Sequence, residues 1–271
     1  VADGDTGSNL TRTLSVVKNE AIKDNSLTIT LNSMGEAALK GAIGNSGIIF
    51  AQFINGLKNS IELEDSINVN KFVQAVDYAV NYTYQGISNP VEGTILTVMK
   101  DWAESLKFLQ NKSTDFAEVM EESLETAAAS LKKTKTQLDV LKEADVVDSG
   151  AQAFVLFLEG IVDFIKRGNL NDLSIEKTTQ IDSITEKEIG KEEKIEFRYC
   201  TEAYISNLEV EIDELRADID DLGDSLIAAG DKGKMRVHIH TNNPAELFKR
   251  LNKYSDILDQ KADDMKLQQA V

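Results

Sequence analysis

The sequence predicts a multidomain protein with an all-α domain over residues 1–170, a linker over 171–194 and a small α/β domain over 195–271. Three observations lead there. Apolar residues recur at helical spacing from Gly7 to Gly168, with no alternating segment of convincing length. Residues 171–194 lose that periodicity and are rich in Glu, Lys, Thr and Ser, the composition of a solvated linker. Beyond them, short alternating runs are interleaved with two helical patterns.

In the first domain, Phe72, Val76, Val80 and Tyr84 form one stripe and Ile95, Met99, Trp102 and Leu106 another. Phe154, Val155, Leu158, Ile161, Val162 and Ile165 form a third. About seven helices are expected on this spacing. Ser33 with Glu36 reads as a capping box, Ser113 or Thr114 as an N-cap, and Gly168 as a helix stop.

In the second domain, Ile195 to Tyr199 alternates like a strand, and Ile212, Leu215, Ile219 and Leu222 sit at helical spacing. Ser225 to Ala229 is a short apolar run, and Gly230-Asp-Lys-Gly233 reads as a hairpin turn into Met235 to His240. Pro244 opens a helix through Leu247 and Leu251, and Ile257 to Lys261 forms the last strand. The order β-α-β-β-α-β is the ferredoxin-like arrangement, in which the first and third strands are central neighbours. The two domains are expected to fold separately.

The chain carries 29 Lys+Arg against 46 Asp+Glu, a formal charge of −17. A nucleic-acid partner is excluded on that balance, since phosphates want a basic face. A phosphate-bearing ligand here needs a divalent cation or backbone N–H groups to offset repulsion. The single cysteine excludes an internal disulfide framework. Without an apolar run that spans a bilayer or a signal-peptide pattern, a cytoplasmic location is expected. The chain opens on Val1 and a loop-like Asp-Gly-Asp, so it is expected to begin inside a longer protein.

Asp3-Gly4-Asp5 places two carboxylates around a glycine just before a helix, which suits Mg²⁺ and a neighbouring anion. Three further helix starts pair glycine with hydroxyl or amide groups: Gly41-Ala-Ile-Gly44-Asn45-Ser46-Gly47, Glu92-Gly93-Thr94 and Asp148-Ser149-Gly150. If these converge at one end of a bundle, they form a cradle of N–H groups for a polyphosphate. Turns and helix ends use the same residues, so that plainer use stays open. No Walker A or dinucleotide-binding glycine pattern is present.

Together, Asp3-Gly-Asp-Thr-Gly-Ser-Asn9, Gly41-Ala-Ile-Gly-Asn-Ser-Gly47, Glu92-Gly-Thr-Ile-Leu-Thr97 and Val147-Asp-Ser-Gly-Ala151 resemble the nucleotide-binding domain of dihydroxyacetone kinases. The nearest variant is the ATP-binding subunit of bacterial fatty acid kinase, and the motifs run through most of residues 1–168. The resemblance implies an eight-helix barrel, its first helix missing here, with Mg²⁺ and ATP or ADP at one end. It implies Asp3 and Asp5 as Mg²⁺ ligands, the Gly44-Asn45-Ser46-Gly47 turn as a phosphate grip, and Asn9, Gly93, Thr94 and Asp148 around the nucleotide. Two departures stand out: Ala2 replaces the usual proline, and the polar residue that completes the metal site upstream is absent from the chain. The implied acceptor is a fatty acid held by a separate lipid-binding partner protein, which docks on a third domain with no counterpart here. A homodimer stays open.

Alternation on the first and third strands of the α/β domain puts Cys200, His238 and His240 on one open face, opposite the apolar set of Val237 and Ile239. A thiolate and two imidazoles are the three ligands of a zinc site with an open fourth position. A lone strand cysteine is also commonly a small buried hydrophobe, and that reading stays open. A Cys200–His238 hydrolase dyad is less well supported, because two histidines on one strand face fit a metal better. Glu202, two residues on, is a further candidate around the metal. The acidic stretch Glu209 to Asp224 reads as a solvated helix face rather than a calcium loop. Tyr199-Cys-Thr-Glu202 and Val237-His-Ile-His-Thr-Asn242, with Asp264 and Met265, resemble the middle domain of the same fatty acid kinase protein. That implies a metal-dependent phosphotransfer site in which Cys200, His238 and His240 are catalytic. The rival expectation is an ATP-responsive regulatory or docking module that transfers nothing.

Overall fold

A computed structural model describes residues 6–61, 64–168 and 195–268. The Asp3–Asp5 pair and the 171–194 linker lie outside the described residues. The helical domain contributes α1 (Thr6–Glu20), α2 (Leu27–Gly41), α3 (Gly44–Ser60), α4 (Val69–Gln85), α5 (Ile95–Leu109), α6 (Phe116–Gln137), α7 (Asp139–Ala144) and α8 (Ser149–Arg167). Its core follows the three stripes. Trp102 on α5 lies edge-on to Phe53, Phe72 and Phe154, with ring centroids 5.7 to 6.5 Å apart. Its indole N–H donates to Ser123 Oγ at 3.0 Å, so the one polar atom of this buried ring is satisfied.

Two expected caps fall elsewhere. Ser33 and Glu36 sit inside α2, where Ser33 Oγ accepts the N–H of Ile22 at 2.8 Å and donates to the Thr30 carbonyl. The spacing of a capping box is also that of neighbours on one helix face, so it fixes no start by itself. At α6 the cap is Asp115, whose carboxylate takes the N–H groups of Ala117 and Glu118, while Ser113 accepts from Asp115 itself. Gly168 closes α8 at φ +64°, as expected.

The α/β domain runs β1 (Tyr199–Ser206), α9 (Ile212–Ile219), β2 (Gly223–Gly230), β3 (Lys234–Thr241), α10 (Pro244–Tyr254), β4 (Asp256–Asp264) and α11 (Met265–Gln268). All pairings are antiparallel and the strand order is β2-β3-β1-β4, so β1 and β3 are central neighbours. The first strand begins at Tyr199, not at Ile195. Tyr199 pairs with Thr241, the last residue of β3, and beyond it the Asn242 side chain, rather than strand backbone, takes the Arg198 N–H and donates to the Glu196 carbonyl.

One sheet face packs Ala203, Ile205, Met235, Val237 and Ile239 against Leu215, Ile219, Leu247 and Leu251 of α9 and α10. The other face, expected to be open, is covered by the helical domain. Tyr204, Ile227 and Ala229 belong to the same apolar cluster as Phe50 and Ile87. Backbone pairing reinforces the contact: Ala228 N–H donates to the Gly86 carbonyl at 2.9 Å and Ser88 N–H to the Leu226 carbonyl at 3.1 Å. Arg216, the one basic residue of the acidic stretch, donates to the Gln85 carbonyl. Strand alternation places Cys200, His238 and His240 on that face, but does not show that the helical domain covers it.

Candidate functional site

The glycine-containing starts of α3, α5 and α8 converge, with α1 alongside. Gly44 adopts φ +62°, and a Cβ there would lie 2.5 Å from Asn9 Nδ2. At Gly47 a Cβ would lie 2.5 Å from Thr13 Oγ1, so α1 presses directly on the first turn of α3. Ser46 Oγ stands 3.0 Å from the Cβ position of Gly150 at the start of α8. Asp148 stands between two starts: Oδ1 accepts the Ala151 N–H at 2.7 Å, and the N–H groups of Ile95 and Gly150 also favour its charged form. Burial raises the pKa of Asp148, and these N–H donors offset only part of the rise.

Thr94 caps α5, accepting from Leu96 N–H and donating to the Val91 carbonyl at 2.7 Å. Gly93 beside it holds φ +83° and gives its N–H to Thr97 Oγ1 at 2.8 Å. Thus Asn9, Gly44, Ser46, Gly47 and Asp148 are neighbours, and Gly93 and Thr94 adjoin them through Ile95. Asn45 Oδ1 is buried with no hydrogen-bond partner, an unmet acceptor that suits a hydroxyl or cation of an incoming ligand. The residues present therefore fit a nucleotide at this end of the helices.

The second cluster sits on the covered sheet face. Cys200 lies directly opposite His240, and Glu202 directly opposite His238, across the β1–β3 ladder. One ligand atom each from Cys200, His238 and His240 lies within 4.8 Å of the others. Bonds to tetrahedral zinc of about 2.0 to 2.3 Å would set such atoms roughly 3.5 Å apart, a modest closure by side-chain rotation. His238 is 1% exposed, and its Nε2 is buried without a partner. Its Nδ1 lies 3.8 Å from Cys200 Sγ and 3.4 Å from Glu202 Oε1. His240 Nδ1 lies 3.2 Å from Asp224 Oδ1 on β2. A free thiol and two imidazoles with ligand atoms this close fit zinc.

Burial alone would lower the pKa of His238, but hydrogen bonds and charge from Cys200 and Glu202 outweigh it and raise the value to about 9. His240 moves the other way, to about 4, through burial and the facing His238 charge. Glu202 is 2% exposed, yet His238, Arg236 and the Gly44 N–H outweigh its burial and hold its carboxyl at about 2.

Two functional features were not foreseen from sequence. Arg236, 4% exposed, donates to Glu202 Oε2 at 3.1 Å and to Asp259 at 3.3 Å. Glu202 Oε1 accepts the backbone N–H of Gly44 at 2.8 Å and lies 3.4 Å from His238 Nδ1, so the Cys200–His238–His240 cluster and the α3 loop share one carboxylate. The period-two pattern already aligned Glu202 and Arg236 with His238. Nothing in it placed Gly44 against them.

Comparisons with known proteins give two family matches along the chain. Residues 1–163 match the family model described as the DAK2 domain, and residues 196–271 match the model for the middle domain of FakA-like fatty acid kinase proteins. Protein YloV of Bacillus subtilis is 33% identical over 281 residues, covering 99% of this chain and 50% of that protein. Uncharacterized proteins of Staphylococcus epidermidis and Staphylococcus aureus are 32% identical over 280 residues with the same coverage. The chain spans about half the length of the curated relatives it matches. Among the described residues, no helix is long and apolar enough to cross a membrane. With both matches in this order along one chain, the protein belongs to the DAK2 kinase family, and within it to the FakA-like proteins.

Proposed function

We propose that this chain is the nucleotide-binding and middle portion of a cytoplasmic phosphotransferase subunit that passes the γ-phosphoryl group of ATP to a fatty acid carried by a partner protein. The observation that carries the reading is the convergence of the α3, α5 and α8 starts around Asp148, Ser46 and Gly150 in a chain that belongs to the DAK2 kinase family. The fatty acid acceptor and its carrier protein follow from likeness to the fatty acid kinase middle domain. The reading takes residues 1–170 as part of a helical barrel of the eight-helix type and residues 195–271 as a ferredoxin-like domain, the latter supported by the β2-β3-β1-β4 order.

In this reading Asp3 and Asp5 hold Mg²⁺, and the Gly44–Gly47 turn presents backbone N–H groups to the phosphates. Asn9, Thr94 and Asp148 orient the nucleotide and fix the loop. Cys200, His238 and His240 would hold a zinc ion, with Glu202 between that cluster and the loop. When bound, the two cations supply charge neutralisation and Lewis acidity, and the side chains supply positioning.

Calorimetry tests the nucleotide half: Mg²⁺ should raise ADP affinity by at least about tenfold, or 1.4 kcal/mol, and Asp3→Ala or Asp5→Ala should abolish that gain. The whole protein, given ATP and a fatty-acid-loaded partner, should yield ADP and an acyl phosphate. Nucleotide binding without any turnover would favour a non-catalytic regulatory module instead.

A further inference from the structure

We infer that Glu202 is a positioning residue that links the Cys200–His238–His240 cluster to the α3 loop, so that a cation at the cluster and a nucleotide at the loop bind with coupled affinities. The inference rests on the function proposed above and names a coupling that reading does not require.

Three contacts define the carboxylate. Oε1 accepts the Gly44 N–H at 2.8 Å and lies 3.4 Å from His238 Nδ1, while Oε2 accepts from Arg236 at 3.1 Å. A buried carboxylate held by such partners moves only when another charge replaces what it leaves, so its position answers to the charge on either side of it. Those partners belong to both sites. His238 is a ligand candidate whose ring must turn to close the cluster on a cation. Gly44 is the first residue of α3, at φ +62°, where a Cβ would meet Asn9 and only glycine fits. Turning the His238 ring therefore disturbs the same oxygen that holds the Gly44 N–H.

The sign of the coupling follows from charge. With the cluster empty, a carboxylate stands at the N-terminus of α3, where an incoming phosphate would be repelled. A cation at Cys200, His238 and His240 offsets that carboxylate and draws it toward the cluster, which frees the Gly44 N–H for the phosphate. Metal and nucleotide should each strengthen the other, by the same factor.

The experiment titrates the chain with Zn²⁺ in a competing chelator, with and without Mg·ADP, and then with ADP at zero and saturating Zn²⁺. The wild type should show an affinity ratio of at least about fivefold in both directions. Glu202→Gln should still bind each ligand but bring the ratio close to one. Arg236→Gln is the control: it breaks the buried pair with Glu202, and costs stability, yet leaves the Gly44 and His238 contacts and should keep the ratio. If Glu202→Gln does not fold, Glu202→Asp, too short to reach Gly44, takes its place. A ratio of one in the wild type, or a full ratio in the Glu202 variant, overturns the inference while leaving the proposed function intact. Failure of the wild type to bind ADP overturns both.

Discussion

Gln52, on the inner face of α3, accepts the backbone N–H of Gly230 through its side-chain oxygen at 2.7 Å. Its Nε2 donates to the Tyr82 carbonyl at 3.1 Å, and the Tyr82 hydroxyl in turn donates to the Gly230 carbonyl. Gln52 is 3% exposed. A buried amide of the helical domain thus ties off the end of β2, at the point where the chain turns into β3.

Replacing this amide tests whether the domains are one cooperative unit. Gln52→Leu keeps the bulk but leaves the Gly230 N–H buried without an acceptor, which should cost about 1 to 3 kcal/mol. Urea unfolding followed by the single tryptophan and by circular dichroism should give one coincident, destabilised transition. Two separated transitions, or no loss, would show that the sheet is held independently of α3.

The helical stripes were readable because burial on one face imposes a period that survives any tertiary detail, as Ile95, Met99, Trp102 and Leu106 illustrate. Strand alternation likewise found Cys200, His238 and His240 on one face, because period two needs only local geometry. What the sequence did not reveal is long-range. Glu202 reads as a candidate beside the metal, and its contacts with Gly44 and Arg236 are visible only in the fold. Asp115 displaced Ser113 as the α6 cap through a choice among adjacent polar residues that periodicity does not rank. The Asp3–Asp5 loop, strong in motif, lies outside the described residues.

The zinc reading predicts a stoichiometric metal. Chain purified without chelator should carry about one zinc equivalent, lost in Cys200→Ser and in His238→Ala. Chelation should lower the thermal midpoint of the wild type, while the Cys200→Ser midpoint should no longer respond. A metal-free wild type with an unresponsive midpoint would return Cys200 to a packing role.

The pair between Lys58 and Asp231, 3.1 Å apart across the domain contact, should mark the acid limb of stability. Burial alone would raise the Asp231 pKa, but Lys58 and the N–H groups of Lys234 and Gly233 bring it below its ordinary 3.8. A depressed folded pKa gives stability that is present above the unfolded value and is lost as pH falls through the folded one. Asp231→Asn should therefore flatten the dependence of the thermal midpoint on pH below about 4. An unchanged acid limb would show that this pair does not hold the domains together.

Asp148 should behave with the opposite sign. Its pKa is raised, chiefly by burial, so ionisation costs folding stability as pH rises from below 3.8 through the folded value. Asn can accept the Ala151 N–H as Asp148 does and carries no charge to desolvate. Asp148→Asn should thus gain on the wild type as pH rises through the carboxylate range, with the two differing least in acid. Asp148→Ala loses the cap altogether and should be destabilised at every pH, by about 1 kcal/mol. Thermal midpoints of the three proteins between about pH 3 and pH 7 distinguish these effects. If Asp148→Asn loses stability as pH rises, the carboxylate is stabilised by its N–H donors more than burial opposes it, and the assigned balance at the α5 and α8 starts is wrong.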